Sequence, residues 1–321
     1  MPTDLPPPRP PEPPADQGAG VRAFRGVQGA ILFVSLGALL ALFILPFLVP
    51  EGGRGRPWKV AISETRFVTV GDIDAYRQEL IKESFGETSD RLLAARQGLL
   101  AERISDTPRA GISDLKEADE ALRQSALEAE YGEILTLDLQ CQVESCLALL
   151  RRLRTLDGAP EWRRSFRFQA DDLVRAAEEL AAEVHIAYLK FSRRSDGARL
   201  LADAETYESY LRTIVDHRRG SVSSGKALSA LEDLRQQAPR FLDLHLLEAE
   251  LRAQAGDKTG AAEALAAAQR IAPGDVRPAL RRLPILVELG RDAEAEEALS
   301  ILEELLPGEP RLLTWREHVA K

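Results

Sequence analysis

The sequence predicts a membrane-anchored α+β chain with one transmembrane helix, a small α/β domain and a C-terminal stack of α-helical repeats. Three observations carry that expectation. The apolar run from Val27 to Val49 contains no charged side chain. Between residues 57 and 200 the apolar positions alternate between a period near 3.6 and a period of 2, as helices and half-buried strands require. From residue 204 onward Ala, Leu, Gly and Pro recur with a period of about 34 residues.

Residues 1–26 precede the apolar run. Eight of the chain's 19 prolines lie between Met1 and Gly20. Proline removes backbone donors and favours polyproline II, so this tail is expected to be a disordered spacer. Val27–Val49 then matches the roughly 20 apolar residues that a helix needs to cross a hydrocarbon core. A cleaved signal peptide would have a shorter apolar region and a small-residue cleavage site. Here the run leaves through Leu45-Pro46-Phe47-Leu48-Val49-Pro50, so a retained anchor is expected. Arg22 and Arg25 flank one side, and Arg54, Arg56 and Lys59 the other, so charge alone does not orient the helix.

Residues 57–200 are expected to form the α/β domain. Trp58–Phe67 alternates loosely and reads as a strand. Ile73–Glu83 and Ser89–Ile104 have helical spacing. Asp114 opens a helix to Leu127 on Leu115, Ala118, Leu122 and Ala126. Gly132–Cys141 alternates as a strand, and Cys146–Thr155 and Arg163–Gln169 follow as two more, turned at Asp157-Gly158. Asp171 then caps a helix to about Arg194. The order suggests a small sheet with helices on one face.

Residues 204–321 carry the repeat. Pro239, Pro273 and Pro307 are in phase, as are Ala227, Ala261 and Ala295, and Leu231, Leu265 and Leu299. Gly256 and Gly290 share the spacing. A helix-turn-helix period of this length is the tetratricopeptide pattern. Alanine lets paired helices approach, leucine fills their interface, and proline stops the second helix. Two departures stand out: His245 occupies the expected first-helix aromatic position, and Gly220 is out of phase in the first copy. Tyr207–Val215 and Leu312–Val319 are expected to cap the stack.

Charge and motifs exclude several classes. The chain has 42 Lys+Arg against 51 Asp+Glu, a net of −9 that falls wholly beyond residue 50. Such a body does not suit phosphate backbones, so no nucleic-acid partner is expected. Two Cys and four scattered His give no zinc framework, and no Gly-rich phosphate loop or nucleophile elbow occurs, so no enzyme, metal or cofactor is expected. Asp171-Asp172, Glu178-Glu179 and Glu303-Glu304 read as capping and surface charge. His185 and His245 read as packed or solvent-facing residues of amphipathic helices.

Cys141 and Cys146 end and begin successive strands across a four-residue loop, which places them opposite each other. In an oxidising compartment they would form a disulfide worth about 2 kcal/mol; otherwise they are two small buried residues.

The order of spacer, membrane helix, α/β domain and repeats, together with the Cys-loop-Cys hairpin, Leu-x-x-Leu-Asp-Gly, Trp162 and Asp171-Asp172-Leu173 before Tyr188, resembles a known arrangement. It is similar to the extracytoplasmic sensory region of bacterial transmembrane serine/threonine kinases and of cadaverine-operon-type one-pass regulators. In those families a kinase or DNA-binding domain precedes the membrane helix; here only the short segment Met1–Gly26 does. The output domain is therefore expected either on a separate kinase or regulator chain or in a longer protein of which this is a part. The resemblance implies a single-pass protein of the bacterial inner membrane, anchored by residues 27–49, with its N-terminus cytoplasmic and its C-terminal domains periplasmic. The expected function is non-enzymatic: sensory or regulatory binding of a protein or peptide by the α/β domain and the repeat groove. The alternative is a structural scaffold or assembly factor for envelope complexes. The expected partner-binding residues are Leu242, His245, Leu246, Ala249 and Arg252, with Arg277 and Arg281 from the next repeat.

Overall fold

The computed structural model describes residues 56–69, 73–104, 115–142, 144–191 and 202–319. Six strands among them form one sheet: β1 (Trp58–Ser63), β2 (Arg66–Thr69), β3 (Leu99–Ile104), β4 (Glu133–Cys141), β5 (Ser145–Arg154) and β6 (Pro160–Gln169). Their order is β3-β1-β4-β5-β6, and β2 continues β1 along the same side of β4. The first strands pair in parallel, and β4-β5-β6 form an antiparallel meander. Cys141 and Cys146 are directly opposed in that meander and form a disulfide.

Alternation along the strands sorts the two faces. Val60, Ile62, Leu135, Leu137, Leu139, Ala148 and Leu150 point to the main core. There they meet α1 (Ala75–Ala94) and α3 (Leu173–Ala187). Phe85 of α1 packs edge-on against Phe168 at 5.1 Å. The opposite face holds Ala61, Ile134 and Leu153, covered by Leu122 and Ala126 of α2 (Leu115–Glu128). The sheet is thus covered on both faces, not one. A quartet of charges pins α2 in place: Arg66 and Arg151 each bridge Asp119 of α2 and Asp138 of β4 at 2.6–2.8 Å.

Two boundaries differ from expectation for a local reason. One helix, α1, replaces the two expected over 73–83 and 89–104. It is capped by Asp74, whose carboxylate accepts from the Arg77 amide at 2.9 Å. It ends at Ala94, and Gly98, at φ +69°, turns the chain so that Leu99–Ile104 can pair with β1 residue for residue. The cap of α3 is Asp172, one residue after the expected Asp171. The expected ends at Asp114 and Arg194 lie outside the described residues.

Seven helices follow: α4 (Ala204–Arg218), α5 (Ser224–Gln237), α6 (Leu242–Gln254), α7 (Lys258–Ile271), α8 (Val276–Glu288), α9 (Asp292–Leu305) and α10 (Pro310–Val319). The starts of α5, α7 and α9, at Ser224, Lys258 and Asp292, keep the period of the sequence repeat, and so do those of α6, α8 and α10 at Leu242, Val276 and Pro310. Ala227, Ala261 and Ala295 are fully buried where paired helices touch. Gly220, Gly256 and Gly290 all hold left-handed turns after the first helix of each hairpin. Gly220 falls out of phase because the α4–α5 link, Arg219–Ser223, is longer than the corresponding Ala255–Asp257.

The sheet and the repeats share one interior. Tyr207, Tyr210, Phe241 and Leu244 belong to the same apolar cluster as the sheet core, and Leu100 of β3 packs with Leu283 and Leu302 of the last hairpin. A buried ion chain crosses the junction. Arg91 of α1 donates to Asp243 of α6 at 2.7 Å, and Arg277 of α8 donates to the other oxygen of Asp243 at 3.0 Å and to Asp275 at 2.8 Å. Asp243 and Asp275 are both 0% exposed.

Among the described residues no helix is long and apolar enough to cross a membrane. The longest, α1, spans 20 residues but carries Arg77, Glu79, Lys82, Glu83, Glu87, Asp90 and Arg91. The expected anchor at residues 27–49 lies outside the described residues, as does the Pro-rich tail at 1–26. The architecture is α+β with C-terminal helical repeats, and it does not support the expected transmembrane helix or the expected single-pass inner-membrane protein with periplasmic domains.

Two outcomes test this packing. Asp243→Ala strands Arg91 and Arg277 as uncompensated buried charges and should cost about 3–5 kcal/mol in chemical denaturation. Reducing the Cys141–Cys146 bond, which closes a short loop, should cost only about 2 kcal/mol and leave the far-ultraviolet dichroism unchanged.

Candidate functional site

The helical register of α1 sets Glu83, Glu87 and Asp90 on one face, at i, i+4 and i+7. That acidic row does not point to open solvent. Its Glu87 and Asp90 line a cleft of about 370 Å³ bounded by β3 and by the first helices of the hairpins, α4, α6 and α8. Strand β3 ends by presenting Arg103, which meets Glu87 at 2.9 Å and Asp90 at 2.8 Å. Arg218, at the last position of α4, pairs with Glu83. Tyr210 donates its hydroxyl to Glu87 Oε2 at 3.1 Å. Arg277 and Arg281 approach from α8.

The three carboxyls respond differently to the same burial. Burial alone would raise Glu87. The positive charges of Arg103, Arg277 and Arg281 and the Tyr210 hydrogen bond overcome it and hold the carboxyl down at about 2. Glu83 is pushed up to about 7 by burial and by the neighbouring Glu87 charge, against the pull of Arg218 and Arg103. Asp90 is pushed up to about 6, again by burial first, with Arg103 opposing and Glu87 assisting. The arginines therefore fix one permanent anion and leave two carboxyls that titrate near neutrality. Among the described residues no cluster of His, Cys, Asp or Glu could hold a metal ion.

The structure brings together three of the residues expected to bind a partner. Leu246, Arg277 and Arg281 line this cleft. Arg277 is engaged in the buried ion chain, whereas Arg281 is exposed and makes no ion pair among the described residues. The other four lie elsewhere. Leu242 and Ala249 sit in the α6–α7 interface with Ala261, Ala264 and Leu265. His245 is 5% exposed, its ring nitrogen 3.4 Å from the Pro239 carbonyl, and burial pushes its imidazole down. Arg252 pairs with Glu248 and Asp257. Sequence reasoning misses Glu83, Glu87, Asp90, Arg103, Tyr210 and Arg218. The acidic spacing on α1 is visible in the chain. Its arginine partners come from β3, α4 and α8, and only the tertiary fold joins them.

Folded Glu83 keeps its proton to about 7, while the unfolded chain loses it near 4.5, so the native state binds more protons between those values. Stability should fall as pH rises through that window, by about 1–3 kcal/mol. Urea midpoints at pH 5, 6, 7 and 8 should show the decline. Glu83→Gln should flatten its upper part and leave the contribution of Asp90 below about pH 6.

No protein-family model and no curated protein matches the sequence. Distant solved structures do resemble parts of it. One is the Yersinia enterocolitica type III secretion chaperone SycD in complex with a peptide of the translocator YopD, at 16% identity and a TM-score of 0.31, covering 38% of this chain and 92% of that one. Another is the PelC dodecamer from Paraburkholderia phytofirmans, at 16% identity and a TM-score of 0.28, covering 43% of this chain and 92% of that one. Likenesses this distant carry no function across.

Proposed function

We propose that this protein is a non-catalytic sensory or regulatory module that binds a protein or peptide partner on its helical repeats. The observation that carries the reading is Arg281, an exposed guanidinium without an ion-pair partner among the described residues, at the edge of the cleft lined by the first helices of the hairpins. Such a group accepts a carboxylate in bidentate fashion, from an acidic side chain or a chain terminus. The cleft volume of about 370 Å³ suits one or two side chains rather than a whole globular surface. The carboxylates beside it are tied to Arg103 and Tyr210, which leaves Arg281 open to an incoming anion.

The regulatory part of the reading rests on the shared interior. Arg277 lies one helical turn from Arg281 on α8 and is tied through Asp243 to Arg91 on α1. A partner held at Arg281 would therefore bear on the same ion chain that joins repeats and sheet. Selection from a random peptide display library, followed by fluorescence anisotropy on the selected peptides, tests the reading. Peptides carrying Asp, Glu or a free C-terminus should be enriched. Arg281→Glu should weaken them at least tenfold, about 1.4 kcal/mol. Selected peptides that bind Arg281→Glu undiminished would refute the assignment.

A further inference from the structure

The sheet has two edges, and they are treated differently. At the β3 edge Leu100 is buried against the last hairpin, and Glu102 is bridged to Arg311 of α10 at 2.8 Å. At the other edge, β6 pairs with β5 on one side, and among the described residues no strand pairs with its outer side. Every second residue of an edge strand in an antiparallel sheet turns its N–H and C=O outward, which is a template for another strand.

The charge on that edge is unusual for this chain. Arg163, Arg164 and Arg167 are exposed and have no ion-pair partner among the described residues. The only acid on β6, Glu161, is already engaged by Arg152 at 3.0 Å. A protein with a net charge of −9 thus leaves three guanidiniums free on one ten-residue strand. The cross-strand register puts Arg163 opposite Arg151, Ser165 opposite Leu149 and Arg167 opposite Leu147, all on the face not covered by α1 and α3. A trough of about 550 Å³ opens there, its floor made apolar by half-exposed Leu147 and Leu149 and by Val68. The carboxylate in the trough, Asp138, is already neutralised by Arg66 and Arg151 and does not repel an anion.

We propose that the β6 edge is a docking site for an extended acidic peptide of a partner protein, which adds to the sheet as a further antiparallel or parallel strand. Its main chain bonds to the outward amides and carbonyls of β6, and its carboxylates pair with Arg163 and Arg167. This is the strand-addition mode of recognition, in which backbone bonds supply affinity and alternate side chains supply selectivity. A bare row of edge arginines could serve only to keep copies of the chain apart, and the test separates the two roles.

The probe is a fluorescein-labelled decapeptide alternating Glu and Val, titrated with the full chain by anisotropy. Saturable binding is expected, with at least a tenfold loss in an R163E/R167E variant. These side chains are exposed, so the variant's thermal midpoint should match the parent's; if it does not, R163Q/R167Q is read instead, with the same expected loss. Two further peptides, N-methylated on the odd or on the even amides, should behave differently: one should bind as the parent peptide does and the other should lose binding. Absent binding, binding that survives the arginine substitutions, or equal behaviour of the two methylated peptides would overturn the proposal. Arg281→Glu should leave this binding unchanged; its loss there would move the peptide to the cleft and overturn the edge assignment without bearing against the cleft.

Discussion

The arrangement of this molecule depends on a four-membered ion chain buried at the junction of sheet and repeats. Arg91, Asp243, Arg277 and Asp275 alternate in sign, sum to zero and come from α1, α6, the start of α8 and the turn before it. At an effective dielectric near 20, a pair at about 3 Å gains roughly 5 kcal/mol, while each buried ion loses several kcal/mol of hydration. These terms are comparable, so the chain adds little net stability. What it adds is selectivity among packings. Sliding α1 along the repeats by one turn would leave its guanidinium without an acid, and that alternative costs far more than the native chain contributes. Asp243 and Arg277 occupy the same phase of successive repeats, so the repeat geometry itself delivers the acid to the base.

Helix α1 therefore serves two layers. Its apolar side, with Leu80, Ile81 and Phe85, completes the sheet core. Its polar side fills the concavity that the first helices of the hairpins would otherwise present. The cleft that remains is a by-product of this filling. Where Arg91 meets a fully buried acid, the pairing is closed. Where Glu83, Glu87 and Asp90 meet Arg103 and Arg218, the helices diverge enough to leave a cavity, rimmed by Arg281, and two carboxyls that titrate near neutrality. The same helix is a structural wedge at one end and a wall of the cleft along its length.

Much of the fold was legible because it is written in local periods. The regular recurrence of Ala227, Ala261 and Ala295 reappears as three tight helix contacts, and the opposition of Cys141 to Cys146 follows from a four-residue loop. The stretch around Leu99 reads as helix in the sequence for an equally physical reason. Leu92, Leu93, Leu99 and Leu100 fit one helical stripe, and only the left-handed turn at Gly98 separates helix from strand. The cleft was the least legible part. Leu242 and Ala249 were expected on an open concave face, but one side of a repeat helix looks the same in sequence whether it meets solvent, its own hairpin partner or a helix from another layer. Here α7 takes Leu242 and Ala249, and α1 takes Asp243. Arg281 could be found because it lies on the first helix of a repeat. Glu87 and Arg103 could not be paired, because nothing local in the chain links them.

The distribution of arginine gives these surfaces their character. The described chain commits most of its guanidiniums to carboxylates; those on β6 and at Arg281 are among the ones it does not, and they stand against a body that is acidic overall. An acidic partner approaching from afar meets the net charge of −9 and is repelled. Within a Debye length, about 8 Å at physiological salt, it meets local positive charge instead. Association is therefore not steered over long distances, and recognition must be carried by contacts at short range. A free arginine alone on an exposed rim contributes little under those conditions, because water and salt compete with it. Both surfaces place the guanidinium beside a second feature that water does not imitate: the low-dielectric wall of the cleft at Arg281, and the unpaired backbone and apolar trough at β6. That pairing of charge with shape is what would let a protein of this net charge discriminate one acidic segment from the many acidic surfaces it repels.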